Sequence, residues 1–183
     1  MRWSRRVQAS FASAVVLAGV VAGAMPGVAG TTSKGIAVDD ACTIVSRRDV
    51  EKAFGRPATV GTASADKLAC HYGVAAEPGQ PAASVLTATQ FFPNFFVRVD
   101  SAPSAVEDRH AIDTLSGHRL ADVFRVGRSA YLDETTGDLV VLATKRYAFV
   151  LRWEPAPFGA QISSRDARKL RSLARVAVAR APH

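Results

Sequence analysis

The chain has 183 residues and a formal net charge of +7, and it contains only two cysteines. This length favours a single domain, since domains typically take about 100 to 200 residues. Loss of an N-terminal segment that carries Arg2, Arg5 and Arg6 and no acid would lower the net charge to +4. An excess this small does not indicate a nucleic-acid-binding protein.

Residues 1–29 have the three parts of a secretory signal peptide. The three arginines form a positive segment, an apolar stretch follows over residues 11–22, and small residues come next. This order is typical of a cleavable signal, with cleavage after Ala24 or, as we prefer, after Ala29. The alternative is an uncleaved membrane anchor, which needs about 20 mainly apolar residues. Glycine and proline in the last third of the uncharged stretch favour cleavage.

Cys42 and Cys70 are the only cysteines of the chain. An even number of cysteines in an exported protein predicts a disulfide. Their separation does not fit a redox site of the C-x-x-C type. We therefore expect a short polar lead-in over residues 30–41 and one disulfide-closed domain over residues 42–183.

The first half of this domain begins with a predicted helix. Ser46 can cap the helix, Asp49 lies near its positive end, and Gly55 is the stop signal. Three stretches rich in β-branched and aromatic residues then predict strands. These strands cover residues 68–74, 84–92 and 95–99.

The second half repeats this order. Ser104 and Glu107 match a capping box, which predicts a helix from Ser104 to about Ser116. Three further strands and a last helix capped by Ser164 follow. The strands are predicted over 126–132, 139–144 and 147–153, and the last helix over 164–180. The inward-facing residues of the middle helix are expected to be Val106, Ala111, Ile112 and Leu115.

The element order indicates an α+β fold. Strands joined by short turns pair antiparallel, and helices are expected to cover one face of the resulting sheet. The order is consistent with two duplicated α-β-β-β units followed by a C-terminal helix, although the halves share no residue-level identity.

Three groups of polar residues are candidates for a catalytic or metal site, and none is favoured. Residues 127–131 begin like the G-x-S-x-G turn of serine hydrolases, but Tyr131 occupies the place of the second glycine. In the other two groups, a zinc site would need three or four convergent ligands, and the acids do not follow the spacing of a calcium loop. They are His110, Asp113 and His118, interpreted as a solvated helix surface, and Asp133, Glu134 and Asp138, interpreted as a polar hairpin loop. We predict no catalytic residue, no metal and no cofactor.

Two surfaces are candidates for binding. The first is hydrophobic and contains Phe91, Phe92, Phe95 and Phe96, which either complete the core or line a groove for a hydrophobic ligand. The second is basic and lies on the last helix, where it is either a solvated face or a contact for anionic lipid or wall polymer. Its residues are Arg165, Arg168, Lys169, Arg171 and Arg175.

The segment 42–55, with Cys42 ahead of a capped helix that ends in Ala-Phe-Gly, is followed by Cys70-His71-Tyr72. This pattern resembles small secreted or lipoprotein-like envelope proteins of actinobacteria, whose function is unknown, and the likeness extends over about residues 41–180. The resemblance implies a Cys42–Cys70 disulfide and an α+β domain, and it implies no catalytic residue. The chain differs from the lipoprotein members because it has no lipid-bearing cysteine.

These observations predict a secreted, extracellular protein associated with the cell envelope. We expect a non-enzymatic binding or interaction module whose partner is a hydrophobic small molecule or another envelope component. The alternative is a peripheral surface protein that contacts anionic wall polymer or lipid through the basic C-terminal helix. Nucleic acid is not an expected partner, and any membrane contact is expected to be peripheral.

Overall fold

A computed structural model describes residues 40–79, 83–91, 102–156 and 160–182, all of which belong to one unit that spans residues 33–183. The helices within these ranges are α1 (Arg47–Phe54), α2 (Ala102–Leu115) and α3 (Ser164–Arg180), preceded by a short 3-10 helix (Ala41–Thr43). The strands are β1 (Thr62–Ala63), β2 (Ala69–Val74), β3 (Ser84–Phe91), β4 (Leu120–Asp122), β5 (Ser129–Asp133), β6 (Asp138–Leu142) and β7 (Ala148–Glu154). The predicted signal peptide and the predicted strand 95–99 lie outside the described residues.

The seven strands form one sheet in the order β1-β2-β3-β7-β6-β5-β4, with every neighbouring pair antiparallel. Each half of the chain contributes a set of consecutive strands, and the last strand of each half, β3 or β7, lies at the centre. The α+β prediction is confirmed. Two short strands, β1 and β4, were not predicted and lie at the two edges of the sheet.

The helices cover both faces of the sheet, whereas one face was predicted. Alternate residues of β7 point to opposite faces. Phe149 and Leu151 belong to the large core that also contains residues of α1 and α3. Ala148 and Val150 belong to a second, smaller core with Val106 of α2. The two halves are therefore unequal, because α1 and α2 lie on opposite faces.

The orientation of α2 also differs from the prediction. Val106 is buried as expected, but the side chains of Ile112 and Leu115 are exposed, and Asp113 between them is buried. The helix begins at Ala102, so Ser104 lies inside its first turn and is not the residue before it. Apolar spacing alone therefore predicted the wrong inward face for the second half of α2.

The ends of α1 and α3 follow from local sequence. The Ser46 hydroxyl accepts from the Asp49 backbone N–H, and the Asp49 carboxylate accepts from the Ser46 backbone N–H, which forms a capping box. Gly55 ends α1 with a φ of +67°, in the left-handed region that glycine adopts without strain. The cap of α3 is Ser163, one residue before the predicted position. Burial alone would raise the pKa of Asp49, but hydrogen bonds from Arg180 and Ser46 lower it to about 2.

A disulfide joins Cys42 to Cys70, as predicted, and links the 3-10 helix to β2. Beside it, the Tyr72 hydroxyl donates to the Val45 carbonyl, and both residues are buried. Further along the same face, the Phe54 ring stacks on Trp153 at a centroid distance of 4.1 Å. These contacts fix α1 on the sheet. In the described part of the chain, no helix combines the length and the apolar character needed to cross a bilayer.

Candidate functional site: a buried ion network beside a cleft

The hairpin between β5 and β6 places two carboxylates on the sheet face that α2 covers. Asp133 ends β5 and Asp138 begins β6, and the two residues are direct partners across the strands. Neither residue is exposed to solvent. Buried carboxylates require cationic or hydrogen-bonding partners, because an unpaired buried charge is costly.

Asp138 is neutralised by two arginines. Arg152, which lies opposite Asp138 on the neighbouring strand β7, donates to its carboxylate from Nε at 2.6 Å and from Nη2 at 2.8 Å. Arg109 of α2 donates from Nη2 at 3.0 Å. One carboxylate thus ties the helix to two strands. These bonds place Arg109 and Asp113 against the sheet, on the same side of α2 as the buried Val106.

Arg109 also pairs with Asp113, one helical turn further along α2. Its Nε donates to both carboxylate oxygens of Asp113, at 2.9 and 2.8 Å. The Tyr131 hydroxyl of β5 donates to the same carboxylate at 3.0 Å. Burial first, and then the negative charge of Asp113, raise the pKa of Tyr131 well above its ordinary value. Tyr131 therefore remains a neutral donor.

Asp133 is held by the hairpin turn and by His118. The backbone N–H groups of Thr135 and Thr136 donate to one oxygen, and the Thr136 hydroxyl and the His118 Nδ1–H donate to the other at 2.8 Å. Burial alone would raise the pKa of Asp133, but these donors, with the Thr136 hydroxyl foremost, bring it below its ordinary value. The carboxylate is thus ionised at neutral pH, and His118 must carry its proton on Nδ1 to donate to it.

Asp113, His118 and Asp133 each offer a ligand atom within 4.8 Å of the others, so a metal ion is a geometric option here. The lone pairs of both carboxylates already accept hydrogen bonds from arginine, tyrosine, threonine and histidine donors. A divalent cation would have to displace these donors. We assign the three residues to the ion network and not to a metal centre.

A cleft of about 450 Å³ opens next to this network, between α2 and the start of β5. The Tyr131 ring forms part of its wall, and the His110 ring meets Tyr131 edge-on at 4.8 Å between centroids. The lining combines two carboxylates, a hydroxyl, two rings and two small apolar side chains. These residues are Glu107, Asp122, Ser129, His110, Tyr131, Val106 and Ala130.

The structure corrects two interpretations of polar clusters. His110, Asp113 and His118 were interpreted as a solvated helix surface, but Asp113 is buried and bonded, and only His110 is exposed. Asp133 and Asp138 were interpreted as a polar loop, but both are strand residues buried under α2. A usable signal was present, since Arg152 interrupts the apolar run of strand β7, and an arginine at such a position indicates a carboxylate on a neighbouring strand.

The residues of the two predicted binding surfaces are placed unevenly. Phe92, Phe95 and Phe96 lie outside the described residues, and Phe91 is the last residue of β3, its side chain likewise outside them. On α3, three of the five predicted basic residues are exposed: Arg165, Arg168 and Arg175. Lys169 is half-buried, pairs with Asp166 and Glu77, and lies over the Phe54 ring.

Arg171 completes the predicted basic surface, and it is also half-buried, with its Nε enclosed by protein.

Comparison of the chain with protein-family models, with curated proteins and with solved structures gave no match.

Proposed function

We propose that this protein is a secreted, non-enzymatic binding module of the bacterial cell envelope and that its ligand occupies the cleft between α2 and β5. The observation that carries the proposal is the cleft itself. Ligand sites are concave, largely apolar and equipped with a few polar groups that orient the ligand. The rings of His110 and Tyr131 and the polar Glu107, Asp122 and Ser129 meet this description.

The lining favours a small molecule with an apolar body and a donor-rich or cationic end. Glu107 and Asp122 are exposed, and neither forms an ion pair with a described residue. They can accept hydrogen bonds from such an end, while Val106, Ala130 and the rings contact the apolar body. This ligand is more polar at one end than the hydrophobic molecule expected from the phenylalanine cluster.

A binding role, as opposed to catalysis, is supported by the pairing of the neighbouring acids. Asp113, Asp133 and Asp138 each accept two or more hydrogen bonds, mostly from charged or hydroxyl donors. General acid–base catalysis requires a carboxyl or imidazole that can exchange its proton with a substrate. The three network carboxylates are engaged by their donors and do not supply such a group. They instead hold α2 on the sheet, and a fixed cleft wall lowers the entropy cost of binding.

Export is supported by the signal-like N-terminus and by the Cys42–Cys70 disulfide, because disulfides persist in oxidising compartments. Expression of the full-length chain in a secreting host, followed by mass spectrometry of the non-reduced product, tests this part. We expect a start after Ala29 or Ala24 and a mass two hydrogens below that of the reduced form. An intact N-terminus on the exported protein would refute cleavage.

Native mass spectrometry of the mature protein, incubated with an organic extract of bacterial envelopes, tests the cleft. We expect an adduct of small-molecule mass on the wild type and none on Ser129→Trp, which fills the cleft. The matched control is Ser172→Trp, which adds the same side chain to the exposed face of α3. Equal adducts on both variants, or no adduct on the wild type, would refute the site.

A second candidate function is contact with anionic wall polymer or lipid through α3. Arg165, Arg168 and Arg175 lie on one exposed face, since their spacing places them within about a fifth of the helix circumference. None of the three pairs with a described carboxylate. Sedimentation with isolated cell walls at two salt concentrations tests it. Salt-sensitive binding that Arg168→Glu with Arg175→Glu abolishes would support it, and salt-insensitive binding would refute it.

A further inference from the structure

At one end of the sheet, two turns lie side by side: residues 123–128, which join β4 to β5, and residues 143–147, which join β6 to β7. We refer to them as the turn pair. The Arg128 backbone N–H donates to the Leu142 carbonyl at 2.8 Å, which links the first turn to the start of the second. Gly127, with a φ of +59°, approaches that carbonyl so closely that a Cβ would lie 2.5 Å from its oxygen. The two turns thus hold a fixed relative position.

The first turn presents a phenylalanine ring to solvent. Val123 and Val126 are buried in the large core and anchor the turn at both sides. Phe124 between them is 79% exposed. Arg125 adopts a φ of +62°, a left-handed conformation that disfavours a non-glycine residue. The protein therefore tolerates backbone strain in a short turn whose largest apolar side chain points away from the core.

The turn pair is also strongly cationic. Arg125 and Arg128 belong to the first turn, and Lys145 and Arg146 belong to the second. All four are exposed, and none forms an ion pair with a carboxylate in the described part of the chain. Neither turn contains an acid, and the one carboxylate directly flanking them is Asp122. Four positive charges and one exposed ring thus lie on the same pair of turns.

We propose that the turn pair docks on the surface of an anionic lipid bilayer, with the Phe124 ring in the headgroup region and the four cations against lipid phosphates. Interfacial segments combine exposed aromatic side chains with lysine and arginine in this way. The cations add electrostatic attraction, and each one close to an anionic membrane raises the partition coefficient by about fivefold.

The exposed ring favours a bilayer over an anionic polymer as the occupant. A polymer can neutralise the cations, but it offers no apolar layer for the Phe124 side chain to enter. Arg165, Arg168 and Arg175 of α3 provide an internal comparison, because the other exposed residues on their face of the helix are Ser172 and Ala179. That face has similar charge and no large apolar side chain, so we expect it to contribute to charge attraction alone.

Vesicle sedimentation of the mature protein tests the proposal, with vesicles of phosphatidylcholine alone or mixed with phosphatidylglycerol. We expect binding to the anionic vesicles only. We expect Phe124→Ser to weaken it at least tenfold, and Arg125→Gln with Arg146→Gln to weaken it by about 25-fold. The matched control, Arg165→Gln with Arg168→Gln, removes the same charge from α3 and should weaken it much less.

A second measurement reports insertion directly. In Phe124→Trp the new indole is exposed, and we expect its fluorescence to shift to shorter wavelength when anionic vesicles are added. The proposal is overturned if the wild type does not bind anionic vesicles, if Phe124→Ser binds equally well, or if the α3 control loses as much binding as the turn variant. Because all substituted side chains are exposed, unchanged thermal unfolding is the expected check on folding. The cleft variant Ser129→Trp should still bind vesicles, which separates this proposal from the proposed function.

Discussion

Replacement of Asp138 by asparagine tests the assignment of the ion network as a structural element. The change keeps size and shape and removes the negative charge that two arginines share. Asp138 is completely buried and accepts three hydrogen bonds from Arg109 and Arg152. Breaking a buried ion pair by removing one partner costs about 3–5 kcal/mol.

The lower end of that range applies here. The Arg152 side chain is 44% exposed and can be hydrated when its partner is lost, and Arg109 retains Asp113. We therefore expect the free energy of unfolding to fall by about 3 kcal/mol, a large share of the roughly 5–15 kcal/mol of a typical domain. Because the free energy of unfolding falls by about 2 kcal/mol per molar urea, the urea concentration at the unfolding midpoint should fall by about 1.5 M.

The assay is equilibrium unfolding in urea at neutral pH with the disulfide intact. Asp108→Asn is the matched control, since Asp108 lies on the same helix with its side chain exposed, and it should change the free energy of unfolding by less than about 0.5 kcal/mol. Combining Asp138→Asn with Arg152→Gln should cost less than the sum of the two single changes, because both remove the same bonds. A loss below about 1 kcal/mol for Asp138→Asn would refute the reasoning.

Four further predictions concern other parts of the molecule. All three tyrosines of the chain are buried and have raised pKa values, about 12 for Tyr72. Tyrosinate absorbance should therefore appear in one step together with alkaline unfolding, and a gradual rise in absorbance near pH 10 would contradict this. The pKa of Asp49 is lowered to about 2, so its contribution to stability is present above about pH 4 and is lost as the pH falls towards 2. The free energy of unfolding of Asp49→Asn should therefore depend less on pH in that window, and an unchanged pH profile would count against the capping geometry. Serine in place of both cysteines should lower the free energy of unfolding by about 3.5 kcal/mol on the chain-entropy model, and an unchanged urea midpoint would contradict it. Gly127→Ala should lower the free energy of unfolding by about 2 kcal/mol more than Gly79→Ala, because both glycines have positive φ but only Gly127 meets backbone atoms. Equal costs would mean that the turn pair can relax.

Local signals in the sequence predicted the elements well. Ser46 and Gly55 bound α1 as expected, because capping and left-handed glycine are decided by neighbouring residues. Five of the strand predictions correspond to observed strands, with ends shifted by up to three residues. The missed strands β1 and β4 have two and three residues, too few to show an alternating pattern.

Non-local pairing explains what the sequence did not reveal. The inward face of α2 is determined by the bonds of Arg109 and Asp113 to strands that follow later in the chain. Helical periodicity predicts Ile112 as a core residue because it takes no account of a carboxylate that β6 supplies. Likewise, Asp133 and Asp138 flank a turn and look solvated until the strand register places them under a helix.

The position of β7 has a consequence for synthesis of the chain. The strands β1, β2 and β3 can pair as soon as residue 91 has been made, and the disulfide partners are both available by then. The second edge of β3 stays open until residues 148–154 arrive, because its permanent neighbour is β7. An unpaired edge is a template for pairing with another chain. Nascent or truncated chains that stop before β7 should therefore self-associate, and completion of the polypeptide closes the edge that makes them do so.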